Sequence, residues 1–451
     1  MNDGAAPSLY GPTFADPEVA RCFDDRATLQ GLLDFEAALA RAEVQAGIIP
    51  AAAAAPIAAA AEASAFDIAA LGEAAVAAGN IAIPMVKQLT GSVAARDPEA
   101  ARYVHWGATS QDAIDTGAVL QMRAALALLE ADLRTLVRGL SELAQRHRAT
   151  PMIARTWLQH ALPTTFGLKA AGWLSATARA KRRLAERGRG ACVLQFGGAA
   201  GTLASLGERG LDVAQALAAD LKLELPGLPW HSERDRVADL AAALGILAGT
   251  LGKIARDISL LMQTETGEAF EPAAPGRGGS STLPHKRNPV ACAVALSAAI
   301  RAPQLVATIL AAMPQEHERG LGGWHAEWQV MPELFCIVSG SLRAMRETIA
   351  GLEIDSERMR VNIDTTRGLV FAEAVVMKLG EKIGRLPAHE LVEAASRRAL
   401  REGRTLRDVL AGDAEVSAHL AADQLDLLFV PERYLGMADT FVSRAITEAA
   451  T

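Results

Sequence analysis

The sequence predicts an all-α protein built around a central bundle of long helices. Three observations predict it: two long heptad repeats of apolar residues, further helical stretches nearby, and no series of Val- and Ile-rich strands of the doubly wound kind. The 451 residues exceed the roughly 250–300 that one hydrophobic core accommodates. We therefore expect an N-terminal helical domain over residues 1–110, a central bundle and oligomerisation domain over 111–350, and a C-terminal helical domain over 351–451.

Shorter helices are predicted on either side of the bundle. Near the N-terminus, Asp24 or Asp25 can cap a helix that stops at Gly47 and Pro50. The Ala-rich segment 51–65 has high helix propensity, which Pro56 is expected to interrupt. Beyond about residue 350 the apolar spacing shortens, as in "RALREGRTLRDVLAG", which predicts short helices joined by tight turns.

In the central region, apolar residues recur at alternating spacings of four and three in two segments. The second repeat predicts a helix of about 40 Å at 1.5 Å rise per residue. Such helices need long partners, which we expect from stretches 163–187 and 290–312 and from identical subunits. The repeats are Met122, Leu126, Leu129, Leu133, Leu136, Leu140 and Leu143, and Val237, Leu240, Leu244, Leu247, Leu251, Ile254, Ile258 and Leu261.

Composition argues against several classes of protein. The net charge of −7, with no basic tail, makes nucleic acid an unexpected partner. The N-terminus lacks the pattern of a secretion signal, and no run of about 18 consecutive apolar residues predicts a membrane span. Four scattered cysteines and the absence of an H-E-x-x-H pattern argue against a disulfide framework or a metal site. We expect a reduced, cytoplasmic protein with no metal and no cofactor; its cysteines are Cys22, Cys192, Cys292 and Cys336.

One polar run, "GGSSTLPHKRNP" at residues 278–289, is the first candidate for a functional site. It lies between a helix predicted to end near Phe270 and one predicted to begin near Pro289, and structureless connections of roughly 18 residues are commonly lids or binding loops. Glycines let a backbone approach a ligand, and the cations suit an anion. A solvated interhelical loop remains the alternative from composition alone. The residues concerned are Gly276, Gly278, Gly279, Lys286 and Arg287.

Two more polar segments, residues 105–116 and 155–167, each precede a long predicted helix. Helix N-termini present free N–H groups and the positive end of the dipole, which bind carboxylates. Thr109, Ser110 and Gln111 would lie at one such terminus, and the segment from Thr156 to His160 near another. Ordinary N-capping is the alternative reading of Thr109 and Ser110.

Together the three segments resemble the fumarase/aspartase superfamily, whose members share a "T-S-x-D" segment, a "T-x-x-Q" segment and a "G-S-S-x-M-P-x-K-x-N" loop. The loop pattern is highly specific, and residues Gly279 to Asn288 match it with Leu283 in place of Met. The segments occur in the family's order, and the resemblance covers essentially the whole chain. It implies an all-α, three-domain subunit that assembles into a homotetramer, with each active site formed by segments of three subunits.

The resemblance also implies roles for residues of the loop. Ser280 matches the general base that removes a proton α to a carboxylate, and Lys286 and Asn288 match anion-binding positions. A proton beside a carboxylate is weakly acidic, and its removal adds negative charge, so cations and N–H dipoles must meet that charge. A serine becomes a base only where its alkoxide is stabilised, which a closed loop rich in backbone donors provides.

The sequence departs from the family pattern at two positions. Trp157 and Ala293 replace a His and a Glu that superfamily lyases pair to serve an amine or hydroxyl leaving group. A carboxylate leaving group needs no such help. With "HERGLGGWHAEW" at 317–328, the departures resemble the cycloisomerase branch, in which a carboxylate adds to a double bond of the same molecule. This implies a cofactor-independent cycloisomerase acting on a small polycarboxylate.

His160 is the candidate to replace the missing acid, provided that residues 157–160 form a helix that places it on the face of Trp157; simple hydrogen bonding is the alternative. A capped, partly buried histidine is the alternative for His105, and packing is favoured for Trp324, His325, Glu327 and Trp328. Residues 197–202 can form an anion nest, although a tight turn is the default. The predicted substrate contacts are His105, Thr109, Ser110, Thr156, Trp157, Gln159, Ser281, Asn288 and Arg319.

Two rival functions remain open from the sequence. A fumarate-releasing lyase, such as one acting on adenylosuccinate, would normally carry the missing His–Glu pair. A non-enzymatic structural protein, like the lens crystallins of the superfamily, would have no need of Ser280, Lys286 and Asn288.

Overall fold

The structure is a computed structural model, and it describes residues 9–279, 282–283 and 285–450. The chain is 69% helical and only 4% strand, which confirms the all-α prediction. It forms two compact units. Unit 1 comprises the described residues up to 133 with 180–252 and 294–344, and unit 2 comprises 134–179, 253–293 and the described residues from 345 onward. The division into three domains stays a prediction.

Helices account for nearly all the regular structure, and four short strands form two small antiparallel sheets in the described part of the chain. The strands are β1 Pro151–Thr156, β2 Gln159–Thr165, β3 Ala269–Phe270 and β4 Glu353–Ile354. The helices are α1 Gly11–Phe14, α2 Pro17–Arg21, α3 Asp25–Gln45, α4 Ala54–Ala60, α5 Ile68–Ala78, α6 Ala82–Ala94, α7 Ser110–Arg146, α8 Phe166–Ala191, α9 Gly210–Leu221, α10 Asp235–Leu261, α11 Val290–Ala312, α12 Gly323–Ala350, α13 Ser356–Asp364, α14 Ala372–Ile383, α15 Arg385–Glu402, α16 Leu406–Ala411, α17 Ala414–His419, α18 Ala422–Leu427 and α19 Ala438–Ala450.

The N-terminal helix of unit 1 follows its predicted signals. The Asp24 carboxylate accepts a hydrogen bond from the Ala27 N–H at 2.8 Å and caps α3, and Gly47 follows the helix with a left-handed φ of 69°. The predicted interruption at Pro56 is wrong. Pro56 lies inside the first turn of α4, where a missing N–H costs nothing because first-turn N–H groups have no partner within the helix.

Both heptad repeats are buried along their whole length. Every predicted seam residue of α7 and α10 is at most 5% exposed, and most are fully buried. In unit 1, α3 approaches α7 closely at Gly31 and Gly117, because a Cβ on Gly31 would lie 3.0 Å from the Gly117 carbonyl oxygen. This contact brings the buried face of α3 to the first turns of α7.

In unit 2, residues 151–165 form a β-hairpin. Arg155 pairs with His160 and Thr156 with Gln159 across the two strands. The prediction that Thr156 to His160 lie near a helix N-terminus is therefore wrong, because α8 begins only at Phe166. Since residues 157–160 are not helical, His160 does not share a helix face with Trp157.

The long connection before α11 begins earlier than predicted. Helix α10 ends at Leu261, at the last residue of its apolar seam, and Phe270 belongs to β3, which pairs with β4. Helix α11 begins at Val290, as predicted. After residue 354, helices α13 to α19 have 6 to 18 residues, which confirms the prediction of short C-terminal helices.

Helices α10 and α11 are long and apolar enough, by length and composition alone, to cross a membrane. The apolar stretch of α10 is 61% buried within the chain, as expected of a core helix, whereas that of α11 is only 28% buried. Ile300 and Leu310 on α11 are 70% and 50% exposed. Helix α11 therefore presents an apolar face that the chain itself leaves uncovered.

Candidate active site

The polar loop before α11 is anchored at both ends in unit 2. Ser280 and Ser281, the predicted base and one of the predicted contacts, lie outside the described residues. At the loop's base, the Asn288 N–H donates to the Gly278 carbonyl oxygen at 2.8 Å, and Gly278 has a left-handed φ of 65°. A Cβ on Gly278 would lie 2.6 Å from the Asn288 carbonyl oxygen, so this position needs glycine.

The two cations of the loop have different surroundings. The Arg287 guanidinium donates two hydrogen bonds of 2.9 Å to the Glu353 carboxylate and one of 2.5 Å to the Glu271 carbonyl oxygen. It therefore fastens the loop, and Glu353 raises its pKa further while the pKa of Glu353 is lowered. The Lys286 side chain is exposed. Of the two, Lys286 is the cation suited to an external anion.

The N-terminus of α11 is occupied by a carboxylate of the chain. The buried Glu271 side chain accepts hydrogen bonds from the backbone N–H groups of Ala291 and Cys292 at 3.1 and 2.8 Å. These are first-turn groups, which otherwise present the positive end of the helix dipole to an anion. An external ligand therefore cannot use them without displacing Glu271.

The hairpin of unit 2 carries the second predicted segment at its tip. Trp157 and Leu158 form the two-residue turn with left-handed φ values of 52° and 65°, a conformation that usually selects Asn or Gly. Their side chains are 97% and 83% exposed. This turn therefore places two large apolar side chains in an unfavourable backbone conformation and exposes both of them.

His160 lies on β2 beside this tip. Burial, followed by the neighbouring Arg155 guanidinium, lowers its pKa, and the Glu268 carboxylate only partly offsets this. Its Nδ1 is buried and has no hydrogen-bond partner among the residues described. The imidazole is therefore neutral near pH 7, which disfavours a role as a resting proton donor.

Arg155 is held by a buried carboxylate that the sequence reasoning missed. Its guanidinium donates to both oxygens of Glu268 at 2.9 and 2.7 Å, and the Asn362 amide donates to the same carboxylate at 2.7 Å. The Glu268 side chain is fully buried. This arrangement fixes the last residues of β1 and so positions Thr156 and Gln159.

In unit 1, the first predicted segment surrounds the start of α7. Thr109 precedes the helix, and its backbone N–H donates to the Asp112 carboxylate at 3.0 Å, so Asp112 caps the helix from within its first turn. Ser110 is the first helical residue, and both readings of Thr109, as a capping residue and as a substrate contact, stay predictions. His105 lies just before, with a left-handed φ of 58° and its Nδ1 at 2.5 Å from the Glu36 carboxylate.

The glycine turn at 197–202 is a tight turn, as the default reading predicted, and it also binds an anion that belongs to the protein. The N–H groups of Gly197 and Gly198 donate to the two oxygens of Asp112 at 3.0 and 2.9 Å. The His231 Nε2 and the Gln195 amide complete the shell at 2.8 and 3.2 Å. Asp112 is fully buried, so its carboxylate binds groups of the chain itself and not an external ligand.

Arg319 joins the same region through a chain of buried polar groups. Its Nε donates to the Gln111 amide oxygen at 3.0 Å, and its Nη2 donates to the Ala199 carbonyl oxygen at 3.2 Å. Gln111 is fully buried and is itself oriented by Asp115, to which its amide donates at 3.0 Å. Arg319 therefore lies at the glycine turn with a fixed orientation, consistent with its predicted substrate contact.

The tryptophan-rich segment 324–328 has a structural role, as favoured from the sequence. The Trp324 indole N–H donates to Asp115 at 2.9 Å, and Glu327 forms a buried ion pair with Arg234. Arg234 also binds Asp115 at 2.8 Å, and its side chain is 2% exposed. Although burial lowers the pKa of Arg234, the two carboxylates more than offset it. This network supports α7, α10 and α12 behind the site.

The predicted residues fall into two groups. Unit 1 holds His105, Thr109, Ser110 and Arg319, all around the start of α7 and the glycine turn; unit 2 holds Thr156, Trp157, Gln159, His160, Lys286 and Asn288 on the hairpin and the loop. The sequence reasoning missed Glu36, Asp112, Glu268 and Glu271. A signal existed for Glu36 and Glu43, because both occupy core positions in the heptad spacing of α3.

Within the described residues, no group of three or more His, Cys, Asp or Glu side chains is placed to hold a metal ion. The four cysteines have no disulfide partner, and burial raises the pKa of both Cys192 and Cys336 to about 11, so neither is a reactive thiolate near pH 7.

A bundle of long helices, a glycine-rich serine loop and an Asp-capped segment before the longest helix are the features of a carboxylate-processing lyase. The lyase family model matches residues 13–303, and the model of the adenylosuccinate lyase C-terminus matches residues 368–445. The chain belongs to this lyase family, within the fumarase/aspartase superfamily.

Relatives match over nearly the full chain. A 3-carboxy-cis,cis-muconate cycloisomerase of Bradyrhizobium diazoefficiens is 56% identical over 446 residues, which cover 99% of both chains. One of Pseudomonas aeruginosa is 57% identical over 448 residues, covering 99% of this chain and 98% of the relative. The crystal structure of 3-carboxy-cis,cis-muconate lactonizing enzyme from Pseudomonas putida superposes with a TM-score of 0.95 at 53% identity, covering 98% of this chain and 99% of that one.

Proposed function

We propose that the protein is a cofactor-independent cycloisomerase that converts 3-carboxy-cis,cis-muconate to 4-carboxymuconolactone in aromatic degradation. The observation that carries the proposal is the identity of 56–57%, over essentially the full chain, to two cycloisomerases of that name. Trp157 and Ala293, at the positions where related lyases carry a His and a Glu, support it. In the reverse reaction, the carboxylate that had added to the double bond is a good leaving group, and its departure needs no acid.

The reaction requires one bond to oxygen and one bond to hydrogen. A carboxylate oxygen of the substrate attacks a diene carbon, the displaced π electrons move toward the carbon next to another carboxylate, and that carbon takes a proton. In the proposed mechanism Ser280 transfers this proton and recovers one from water. Lys286 stabilises the negative charge that develops on the substrate carboxylate.

The substrate's three carboxylates need several donors, which the proposal draws from both groups of residues. His105, Thr109, Ser110 and Arg319 supply donors at the start of α7, and Asn288 and Ser281 supply them on the loop. On the hairpin, Thr156 and Gln159 provide polar contacts, and Trp157 packs its indole on the apolar diene. His160, neutral near pH 7, is assigned as a hydrogen-bonding catalytic group in place of an imidazolium acid.

We further propose that the protein is a cytoplasmic homotetramer in which each site combines segments of different subunits. The uncovered apolar face of α11 and the exposed tip at Trp157 and Leu158 support self-association, because both expose large apolar side chains. The net charge of −7 supports the proposal that the protein binds neither nucleic acid nor a membrane.

The test follows the conjugated-diene absorbance when purified protein meets 3-carboxy-cis,cis-muconate. We expect rapid loss of absorbance with the wild-type protein and loss of turnover by at least about 10²-fold in Ser280→Ala, with the oligomer intact. Thr282→Ala in the same loop is the matched control, since the family pattern leaves that position variable, and it should retain turnover. An active Ser280→Ala variant would contradict the assignment of the proton carrier.

A fumarate-releasing lyase is the second candidate, favoured by the match of residues 368–445 to the adenylosuccinate lyase C-terminus. Release of fumarate from adenylosuccinate or argininosuccinate, with no effect on the diene, would decide for it. Inactivity on both kinds of substrate would favour a crystallin-like structural role.

A further inference from the structure

A buried carboxylate lies directly behind His105. Glu36 projects from α3, its side chain is 0% exposed, and its Oε1 lies 2.5 Å from Nδ1 of His105. The His105 side chain retains 17% of its surface, so the ring is reached from solvent while its partner is not. The contact links α3 to the loop that precedes α7, within unit 1.

The backbone holds His105 in this place. His105 has a left-handed φ of 58°, and Gly107 follows with a φ of 74°. A Cβ on Gly107 would lie 2.6 Å from the Leu206 side chain, so the turn also needs a glycine for space. Non-glycine residues adopt this conformation at a cost, and such strain commonly marks a functional position. The ring is thereby directed at Glu36 by the turn.

The hydrogen bond to Glu36 fixes which nitrogen is left for a ligand. A carboxylate accepts, so Nδ1 must carry the proton of this bond. Nε2 then remains, and no hydrogen bond to it is formed by any group in the described part of the chain. In the imidazolium form Nε2–H is a charged donor, whereas in the neutral form Nε2 is only an acceptor, which would repel a substrate carboxylate.

The charges around His105 favour the imidazolium. Burial acts to lower its pKa, but the Glu36 charge, the Glu36 hydrogen bond and the charge of Asp112 on α7 together raise it. The other acid on this face of α3, Glu43, is fully buried, and its pKa is raised to about 9, by burial first and by Glu36 second. Glu43 is therefore neutral near pH 7, and Glu36 is the carboxylate that balances His105.

We propose that Glu36 is a positioning residue for the reaction: it holds His105 as an imidazolium whose Nε2–H binds a carboxylate of the substrate. The proposal deepens the proposed function and rests on it in one respect, namely that His105 contacts the substrate. Glu36 itself touches no substrate, because its side chain is fully buried. Its contribution is a fixed tautomer and stabilisation of the positive charge on the ring.

The first experiment measures KM and kcat of Glu36→Gln between pH 6 and 8.5. Gln keeps the size of the side chain and one acceptor oxygen but removes the charge. We expect KM at pH 8 to rise about tenfold or more, the scale of a lost charged hydrogen bond, and to return toward the wild-type value at pH 6, where His105 regains its proton. kcat should change by less than about threefold, because the proton carrier is untouched. Glu43→Gln, also isosteric but neutral before and after, is the matched control and should leave KM unchanged.

A merely structural role for Glu36 predicts a different pattern. Activity would then fall by a similar factor at every pH, together with the unfolding temperature, and this outcome would overturn the proposal. An unchanged KM at pH 8 in Glu36→Gln would overturn it as well.

The second experiment separates this proposal from the proposed function, because it measures the protonation of His105 directly and requires no turnover. NMR of the wild-type protein labelled with 13C-histidine reports the protonation of His105 in the absence of substrate. Comparison with His105→Gln assigns the signal of His105 among those of the nine histidines. We expect the pKa of His105 in the wild-type protein to lie above its ordinary value. In Glu36→Gln we expect this pKa to be lower than in the wild-type protein by at least about one pH unit. A wild-type His105 that titrates below about 6.5 would overturn the inference even if the cycloisomerase activity is found. If instead that activity is absent while His105 titrates high, the proposed function fails and the charge assignment stands.

Discussion

Glu43→Gln should stabilise the protein, and the gain should grow with pH. Glu43 is 0% exposed, and neither of its carboxylate oxygens has a hydrogen-bond partner among the described residues. Its pKa is raised from 4.5 to about 9, by burial first and by the Glu36 charge second. The unfolded chain releases this proton near pH 4.5, whereas the folded protein keeps it until about pH 9.

The sign of the effect follows from proton binding. Between those two pH values the native state binds more protons than the unfolded state, so the free energy of unfolding falls as pH rises, by about 1.4 kcal/mol per pH unit. The contribution of Glu43 is fully present below pH 4.5 and is lost as pH rises to about 9. At pH 7.5, three units above the unfolded value, the loss amounts to about 4 kcal/mol. Glutamine does not titrate, so the variant avoids this loss.

Urea unfolding at matched protein concentration measures the difference at pH 5.5, 6.5, 7.5 and 8.5. Matched concentration matters because the proposed self-association would add to apparent stability. We expect the two proteins to differ by about 1 kcal/mol near pH 5.5 and the gap to widen by about 1.4 kcal/mol per pH unit to pH 8.5. Glu73→Gln, at an exposed position of α5, is the control and should show no widening. A gap that stays constant with pH would refute a neutral buried Glu43.

Three further substitutions test the packing and the site. In Gly340→Ala, the new Cβ would lie 2.1 Å from the Phe14 carbonyl oxygen, so unfolding should become easier by about 1–3 kcal/mol; an unchanged Tm would show that the N-terminal segment does not pack there. Asp112→Asn places an amide donor against N–H groups from which the Asp112 carboxylate accepts hydrogen bonds, and it weakens the bond to His231. The free energy of unfolding, measured with urea, should fall by about 3 kcal/mol. In Trp157→Ala, kcat/KM should fall at least about tenfold, because the indole proposed to pack on the diene is lost; equal activity would remove Trp157 from the site.

The long helices could be predicted from the sequence because their apolar spacing is regular and is enforced by burial. Every seam position in α7 and α10 packs inside, and α10 ends at Leu261 where the repeat ends. Phe270 was misplaced because a short strand of two residues, paired with β4, has no periodicity to read. Regular patterns thus fix long elements, while short elements depend on pairing with distant residues.

The hairpin escaped prediction for a different physical reason. A two-residue turn is usually signalled by Asn-Gly or a similar pair, and here Trp157 and Leu158 take the left-handed conformations instead. Local sequence therefore contradicts local structure at this turn, and such conflicts are expected at functional positions. The loop was easier, since its specific pattern identifies residues 279–288 without any structural reasoning.

The buried acids explain which groups remain for the substrate. Helix N-termini were expected to bind the substrate carboxylates, yet Asp112 already accepts from the Thr109 N–H at the start of α7, and Glu271 accepts from two N–H groups at the start of α11. Those dipoles stabilise the fold's own charges. The donors left for a trianionic substrate are therefore side chains, and among them the charge of His105 depends on a buried partner, Glu36. Affinity for the substrate should then follow the protonation of His105, and Glu36 sets that protonation.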